Sequence, residues 1–415
     1  MEGKRGKYNI FHNLVEAVLF MFVLSLPISK AGINLFGALF VLLTLGEFFI
    51  KRNKKEIIEF YRENRLILGF FFLFFLGIIV SILSDGGLIS MKKYITKHLY
   101  FLMIPGFITY ISDKNRKILI YIFCTGLLIG IFKSFEVFYN EFGKVFEPWV
   151  RVHSFYDVGR WGAILLFSLV MIIPFLSSEE NKKTKKYLYS SIVIFILGII
   201  SLILSNSRGP WIALVISIVI YFLSYDRKKI KQIVILNICF VLVFFSLNNK
   251  EFNSFKQRIK SIGNFKDISN MGRMLMWREG LLFSLNNISN KKILVGTGIE
   301  NFEKPFEKYL VEKNELDILR EKSSNQFSLS DNHNSFLNIL NQLGIIYFVG
   351  YMYFVFNLFV YFIKNSFEKD KITAKSISLL LLSFFVCGMF YSYSISYEMY
   401  MMFFFVSFGY KSIEK

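Results

Sequence analysis

Apolar runs of about 17 to 22 residues recur from one end of this chain to the other. As a helix, each is long enough to cross a hydrocarbon core of ~30 Å. A water-soluble fold has nowhere to bury so many helices that are apolar on every side. The expected fold class is therefore an all-α polytopic membrane protein with about twelve transmembrane helices, near 10–27, 31–50, 66–84, 98–112, 117–137, 159–177, 187–205, 209–225, 232–248, 336–363, 376–394 and 396–410. Composition agrees, since 54% of residues are hydrophobic, 50 are Phe and only 19% are charged.

The connectors alternate in character. Lys51 to Lys55, Asp113 to Lys117, Lys182 to Lys186, Arg227 to Lys229 and the loop from Lys364 to Lys375 are rich in Lys and Arg. The short loops between them, around Pro27, Asp85, Trp149, Arg208 and Tyr393, are poor in both. The positive-inside rule then predicts that N- and C-termini share the cytoplasmic side. On that basis the net charge of +19 reflects cytoplasmic loops and membrane lipids, with no nucleic acid as partner. The basic stretch Met1 to Lys7 leads into the first apolar run with no small-residue cleavage site, so that run is expected to be a retained span. Cys124, Cys239 and Cys387 all fall inside spans and read as small apolar residues.

Two outward connectors are long. One covers about 138–158 and carries Arg151, His153 and Asp157; the other runs from Asn249 to about Asn332. The expected organisation is nine spans in residues 1–248, an outward helical domain over 249–333, and three spans in 334–415. Within the domain, Ser269 or Asn270 is a candidate cap for a helix from about Met271, with Met274, Trp277, Leu281 and Leu285 at helical spacing. Gly296-Thr297-Gly298 reads as a turn, because a nucleotide loop would need further glycines and a βαβ setting. A charged helical stretch follows from Phe302 to Lys322. Such a domain could roof a cavity at the membrane surface.

Polar residues cluster at three places. In Ser205-Asn206-Ser207-Arg208-Gly209-Pro210-Trp211, a very short connection joins two spans. Arg208 is either an interfacial anchor beside Trp211 or part of an anion site, since a guanidinium offers phosphate a planar fork. Arg273 and Trp277 lie one helical turn apart, which taken alone suggests a surface cation–π pair. Arg151 and Arg160 bracket the start of the sixth span and are headgroup contacts or further anion ligands. Third is His333, at the junction of the outward domain and a span, with Asp331 or Asn332 as candidate cap. Asn334, Asn338, Asn341 and Gln342 continue from it as a stripe, and exposed amides are unfavourable in a membrane unless they face a cavity or another helix. Histidine titrates near neutrality and suits proton transfer. No metal-ligand spacing accompanies it, and no cofactor is implied.

Together these blocks resemble the superfamily of bacterial O-antigen ligases and polymerases. Ser207-Arg208-Gly209-Pro210-Trp211 is similar to its S-R-G-x-W segment. Gly272-Arg273 through Trp277, followed by Gly296-Thr297-Gly298 and Phe302, is similar to its R-x-x-x-W and G-x-G-x-x-x-F region. His333-Asn334-Ser335-Phe336-Leu337, with Leu343-Gly344, is similar to H-N-x-x-L…G, although Gln342 stands where the family often has Glu. The resemblance implies an inner-membrane glycosyltransferase, metal-independent and inverting, that takes a glycan from undecaprenyl diphosphate on the periplasmic face. It further implies that Arg208, Arg273, Arg151 and Arg160 hold the donor diphosphate and that His333 is the base or orienting group for the acceptor hydroxyl. Ser207, Trp211, Trp277 and Asn334 would support them. The ligase, with lipid A–core as acceptor in lipopolysaccharide assembly, is preferred to a polymerase using the same donor. A lipid-linked glycan transporter is the alternative of a different class; it would place charges within several spans, whereas here the spans are nearly free of them.

Overall fold

A computed structural model describes residues 2–51, 54–141, 150–178, 185–227, 256–257, 259–287, 292–368, 372–391 and 397–413. Every assigned element among them is helical. The first half comprises α1 (Glu2–Ser25), α2 (Lys30–Lys51), α3 (Lys54–Glu63), α4 (Arg65–Leu83), α5 (Gly87–Lys97), α6 (Tyr100–Tyr110), α7 (Asp113–Glu141), α8 (Val158–Ser177), α9 (Lys185–Ser205) and α10 (Arg208–Tyr225). The second comprises α11 (Ile268–Asn286), α12 (Lys292–Val295), α13 (Glu303–Glu312), α14 (Leu316–Lys322), α15 (Ser335–Glu368), α16 (Ile372–Gly388) and α17 (Glu398–Ile413). Seven of these are long and apolar enough to cross a membrane, and α1 and α16 carry shorter apolar stretches. The chain is thus an all-α polytopic membrane protein. The expected span at 232–248 lies outside the described residues.

One expected span differs in form. In place of a single crossing at 98–112, the chain turns at His98 and Leu99 between α5 and α6. Eleven residues rise only about 16 Å, so α6 crosses just part of the bilayer and is buried along most of its length. Pro105 is tolerated inside it because neighbouring helices shield the freed carbonyl.

The bundle is centred on α8, α16 and α17, with α9, α10 and α15 packed around α8 and α16. Helix α17 has 16 residues and rises about 24 Å, less than the hydrocarbon thickness. Its first residue, Glu398, is 1% exposed and so starts recessed within the bundle. The two ends of the bundle can be told apart by their bonds. At one end Tyr225, near the close of α10, lies 2.8 Å from Ser366 of α15, and Ser376 of α16 donates to Met171 of α8 over 2.8 Å. That end carries the basic connectors that follow α10 and join α15 to α16. The other end gathers the starts of α8, α10, α15 and α17.

Over that second end sits a small domain with its own apolar core, built from Met276, Phe283, Phe302, Phe306, Leu310 and Phe327. The helix expected from Met271 begins at Ile268, and Asp267 caps it by accepting from Asn270 N at 3.2 Å. The charged stretch from 302 to 322 forms two helices, α13 and α14. Domain and bundle are joined by Lys292 to Asp85 (2.8 Å), Lys93 and Lys97 to Glu300, and Ile299 N to Ser90 Oγ (2.7 Å).

The Gly-Thr-Gly turn has a structural task. Helix α15 is broken at Gly344, whose φ of 74° leaves carbonyls upstream without their helical donors. Thr297 N donates to Asn341 O and Gly298 N to Gln342 O, each at 2.9 Å. The turn therefore replaces the lost helix bonds. The approach is close: a Cβ on Gly296 (φ 73°) would sit 2.5 Å from the Gln342 carbonyl carbon. We expect Gly296→Ala to destabilise the protein by about 1–3 kcal/mol through backbone strain alone. A lowered Tm in detergent checks this, with Gly46→Ala, which meets no atom within 4 Å, as the control.

Candidate active site

Beneath α11, at the end of the bundle away from the basic connectors, lies a cavity of about 640 Å³. Arg151, Arg160, Arg273 and His333 all line it, although they come from four separate segments. Asp157, Ser269, Gln326, Asp331, Tyr391 and Glu398 complete its polar wall.

His333 is held by a tight turn. Its φ is 48°, and its backbone N donates to Asp331 Oδ1 at 2.6 Å, an Asx turn that lets a non-glycine residue adopt this conformation. The same Asp331 oxygen accepts from Asn338 Nδ2 at 2.8 Å, while Asn338 Oδ1 accepts from Asn332 N at 3.1 Å. The helix cap is neither Asp331 nor Asn332. Asn334 performs it, accepting from Phe336 N at 3.0 Å and Leu337 N at 3.1 Å. The amide stripe is spent on such bonds: Asn341 Oδ1 accepts from Ser284 of α11. It fixes domain to bundle and leaves His333 at the cavity. Burial, aided by the charge of Arg273, holds the His333 pKa below its ordinary 6.5, and Asp331 opposes this. The imidazole is then neutral near pH 7 and able to accept a proton.

The Ser-Asn-Ser-Arg connection works from behind the cavity. Asn206 adopts φ 53° and donates its amide to Val150 O at 2.9 Å, while Val152 N donates to Leu204 O at 3.1 Å. These bonds fix both neighbours of Arg151, whose side chain is exposed. Ser207 donates to Val158 O at 3.3 Å, and Trp211 Nε1 donates to Leu202 O at 2.8 Å, so both brace helices. Arg208 does not line the cavity. It is 5% exposed, and its Nη1 donates to Asp267 Oδ1 (3.1 Å), Ser261 Oγ (3.0 Å) and Ser261 O (3.2 Å). A lipid-facing anchor is excluded by that burial. Arg208 instead fastens α10 to the residue that caps α11.

Arg273, in the second turn of α11, is a partly buried cation of the cavity. Its guanidinium lies 5.8 Å over the Tyr391 ring, in place of the expected pairing with Trp277. Trp277 lies instead 6.1 Å from Phe390. Burial lowers the Arg273 pKa; Arg208 and Arg151 lower it further, and Tyr391 works the other way. Like charges have thus been brought within electrostatic range of one another, which is unfavourable until an anion arrives. Tyr391 is held by Ser335, which donates to its carbonyl. Its ring has room only because Gly159 and Gly209 flank it, where Cβ atoms would come to 3.0 and 2.7 Å.

Arg160 has different company. Its Nη1 donates to Asp157 Oδ2 at 2.9 Å, and its Nε is 3.9 Å from Glu398 Oε1. Gln326, Tyr391 and Glu398 are polar lining residues that the sequence reading missed. The last two belong to the stretch after α16, whose only local signal is an acid opening an apolar helix.

Comparison with known proteins bears on residues 193–355, which match the model of the O-antigen ligase family. An uncharacterised protein of Haemophilus influenzae is 22% identical over 396 residues, covering 93% of this chain and 92% of that protein. The matched stretch contains the Ser207–Trp211 segment, Arg273 and Trp277, the Gly296–Gly298 turn and His333. In this multi-pass membrane protein, residues 193–355 are thus similar to the O-antigen ligase family.

Proposed function

We propose that the chain is an inner-membrane glycosyltransferase of the O-antigen ligase type, transferring a polysaccharide from undecaprenyl diphosphate to lipid A–core. The observation that carries this reading is a neutral histidine sharing a cavity with Arg273 and Arg151, cations that repel one another when no anion is bound. In the reaction an acceptor hydroxyl oxygen attacks the anomeric carbon, and the bond from that carbon to the diphosphate oxygen breaks. His333 takes the hydroxyl proton, and the electron pair leaves with the diphosphate. Arg273 and Arg151 stabilise the charge that develops there. Attack opposite to departure inverts the anomeric centre, and no metal is called for. Arg208 acts through Arg273 and Asp267, and we assign it to positioning rather than contact. Arg160, with two carboxylates beside it, is removed from the diphosphate set. By the positive-inside argument, the cavity end is periplasmic. The lipid chain would lie among the spans and the glycan beneath α11.

A deletion strain examined by envelope-glycan gel tests this. Loss of polymer from lipid A–core, with accumulation of lipid-linked polymer, is the expected result. A core carrying a single repeat unit would indicate a polymerase with the same donor. An unchanged profile would contradict both.

A further inference from the structure

The cavity has two electrostatically different ends. At one, Arg273 is near Arg151 and Arg208, and the carboxylates beside this group among the described residues are Asp267, bonded to Arg208, and Asp331, which accepts from the His333 turn. At the other, Arg160 stands between Asp157 at 2.9 Å and Glu398 at 3.9 Å, and Lys30 is 3.8 Å from Asp157. Two cations there meet two carboxylates, leaving no surplus to attract phosphate.

Glu398 is the unusual member. Its side chain is fully buried, and neither carboxylate oxygen has a hydrogen-bond partner among the described residues. A buried carboxylate without donors is costly unless a cation compensates it, and Arg160 is the nearest one. Asp157, bonded to Arg160 at 2.9 Å, is the group that offsets the Arg160 charge, and the two keep exposures of 55% and 35%. The aromatic partner is Tyr397, whose ring lies 5.8 Å from the Arg160 guanidinium and whose hydroxyl is fixed by Asn34 at 3.2 Å.

We propose that Asp157 and Arg160, which both line the cavity, form a saccharide subsite beside Tyr397, with Asp157 offsetting the Arg160 charge. This rests on the donor reading above. A carboxylate accepts from sugar hydroxyls, a guanidinium donates to them, and a tyrosine face covers the C–H side of a pyranose ring. A diphosphate is disfavoured here, because Asp157 would repel it. The glycan of the donor would therefore extend from the Arg273 end toward Arg160, with the reacting carbon between them.

The test uses the full chain in nanodiscs and two kinds of probe. One is farnesyl diphosphate; the other is farnesyl diphosphate carrying a single N-acetylglucosamine, glucose or galactose. At least one sugar-bearing probe is expected to bind the wild type at least tenfold tighter than the bare one. Arg160→Gln and Asp157→Asn should each reduce that gain at least fivefold. Asparagine still caps α8, so Asp157→Asn isolates the charge; it should also raise bare-probe affinity at least threefold by releasing the Arg160 charge, a gain that a merely structural role would not produce and that reports an intact fold. The subsite is overturned if Arg160→Gln weakens the bare probe as Arg273→Ala does, if the sugar gain survives both variants, or if no sugar-bearing probe gains in the wild type. The absence of a rise in Asp157→Asn overturns the charge-offsetting role of Asp157. Failure of the donor reading shows on the other probe, as bare farnesyl diphosphate that does not bind or binds Arg273→Ala equally well.

Discussion

Arg273→Ala should lower the rate of glycan transfer about 10²–10³-fold, the usual cost of removing one preorganised donor from a developing negative charge. The effect is large because Arg273 is desolvated and already faces Arg151 and Arg208. An anion bound beside it relieves that repulsion in addition to forming new bonds. Arg273→Lys should recover only part of the rate, since an ammonium lacks the planar fork. Transfer assayed in nanodiscs with lipid-linked donor, alongside a Tm, separates chemistry from folding. Wild-type transfer by Arg273→Ala would remove the diphosphate site from this cavity.

His333→Ala should cost about 10²–10⁴-fold, the range for loss of a positioned base, and should change the pH profile. Burial keeps the folded pKa of His333 below 6.5, and the protonated ring cannot accept a proton. Wild-type activity should therefore be full above 6.5 and fall as pH drops through a value below it. Asp331→Asn should move that acid limb lower still, because the Asp331 charge raises the pKa of the ring. In His333→Ala the limb should vanish with the rate. His333→Gln distinguishes the two roles of the ring: strong residual transfer means that it orients the acceptor hydroxyl, and collapse to the alanine level means that it deprotonates it.

Most of the spans were readable in the sequence because they depend on a local quantity, run length. The helix cap was harder. Asp331, Asn332 and Asn334 are all capable caps, and only the three-dimensional turn at His333 shows that Asp331 bonds the turn while Asn334 caps α15. Arg208 looked like a ligand because a charge in a short connection between spans demands an explanation. Its partner, Asp267, is 59 positions away, beyond the reach of any local pattern. Glu398 was passed over for the converse reason: at the end of an apolar segment it looks interfacial. Only the shortness of α17 reveals that this end lies inside the bundle. The amide stripe below His333 was correctly seen as needing partners: Asn338 meets Asp331 and Asn332, and Asn341 meets Ser284, with the cavity left to side chains from other segments.

The most direct measurement is an experimental structure of the protein with farnesyl diphosphate bound. The account predicts both phosphates within hydrogen-bonding distance of Arg273 and Arg151, on the His333 side of the cavity, with Arg160 still paired to Asp157. Phosphates held by Arg160, or bound among the basic connectors at the opposite end of the bundle, would contradict it.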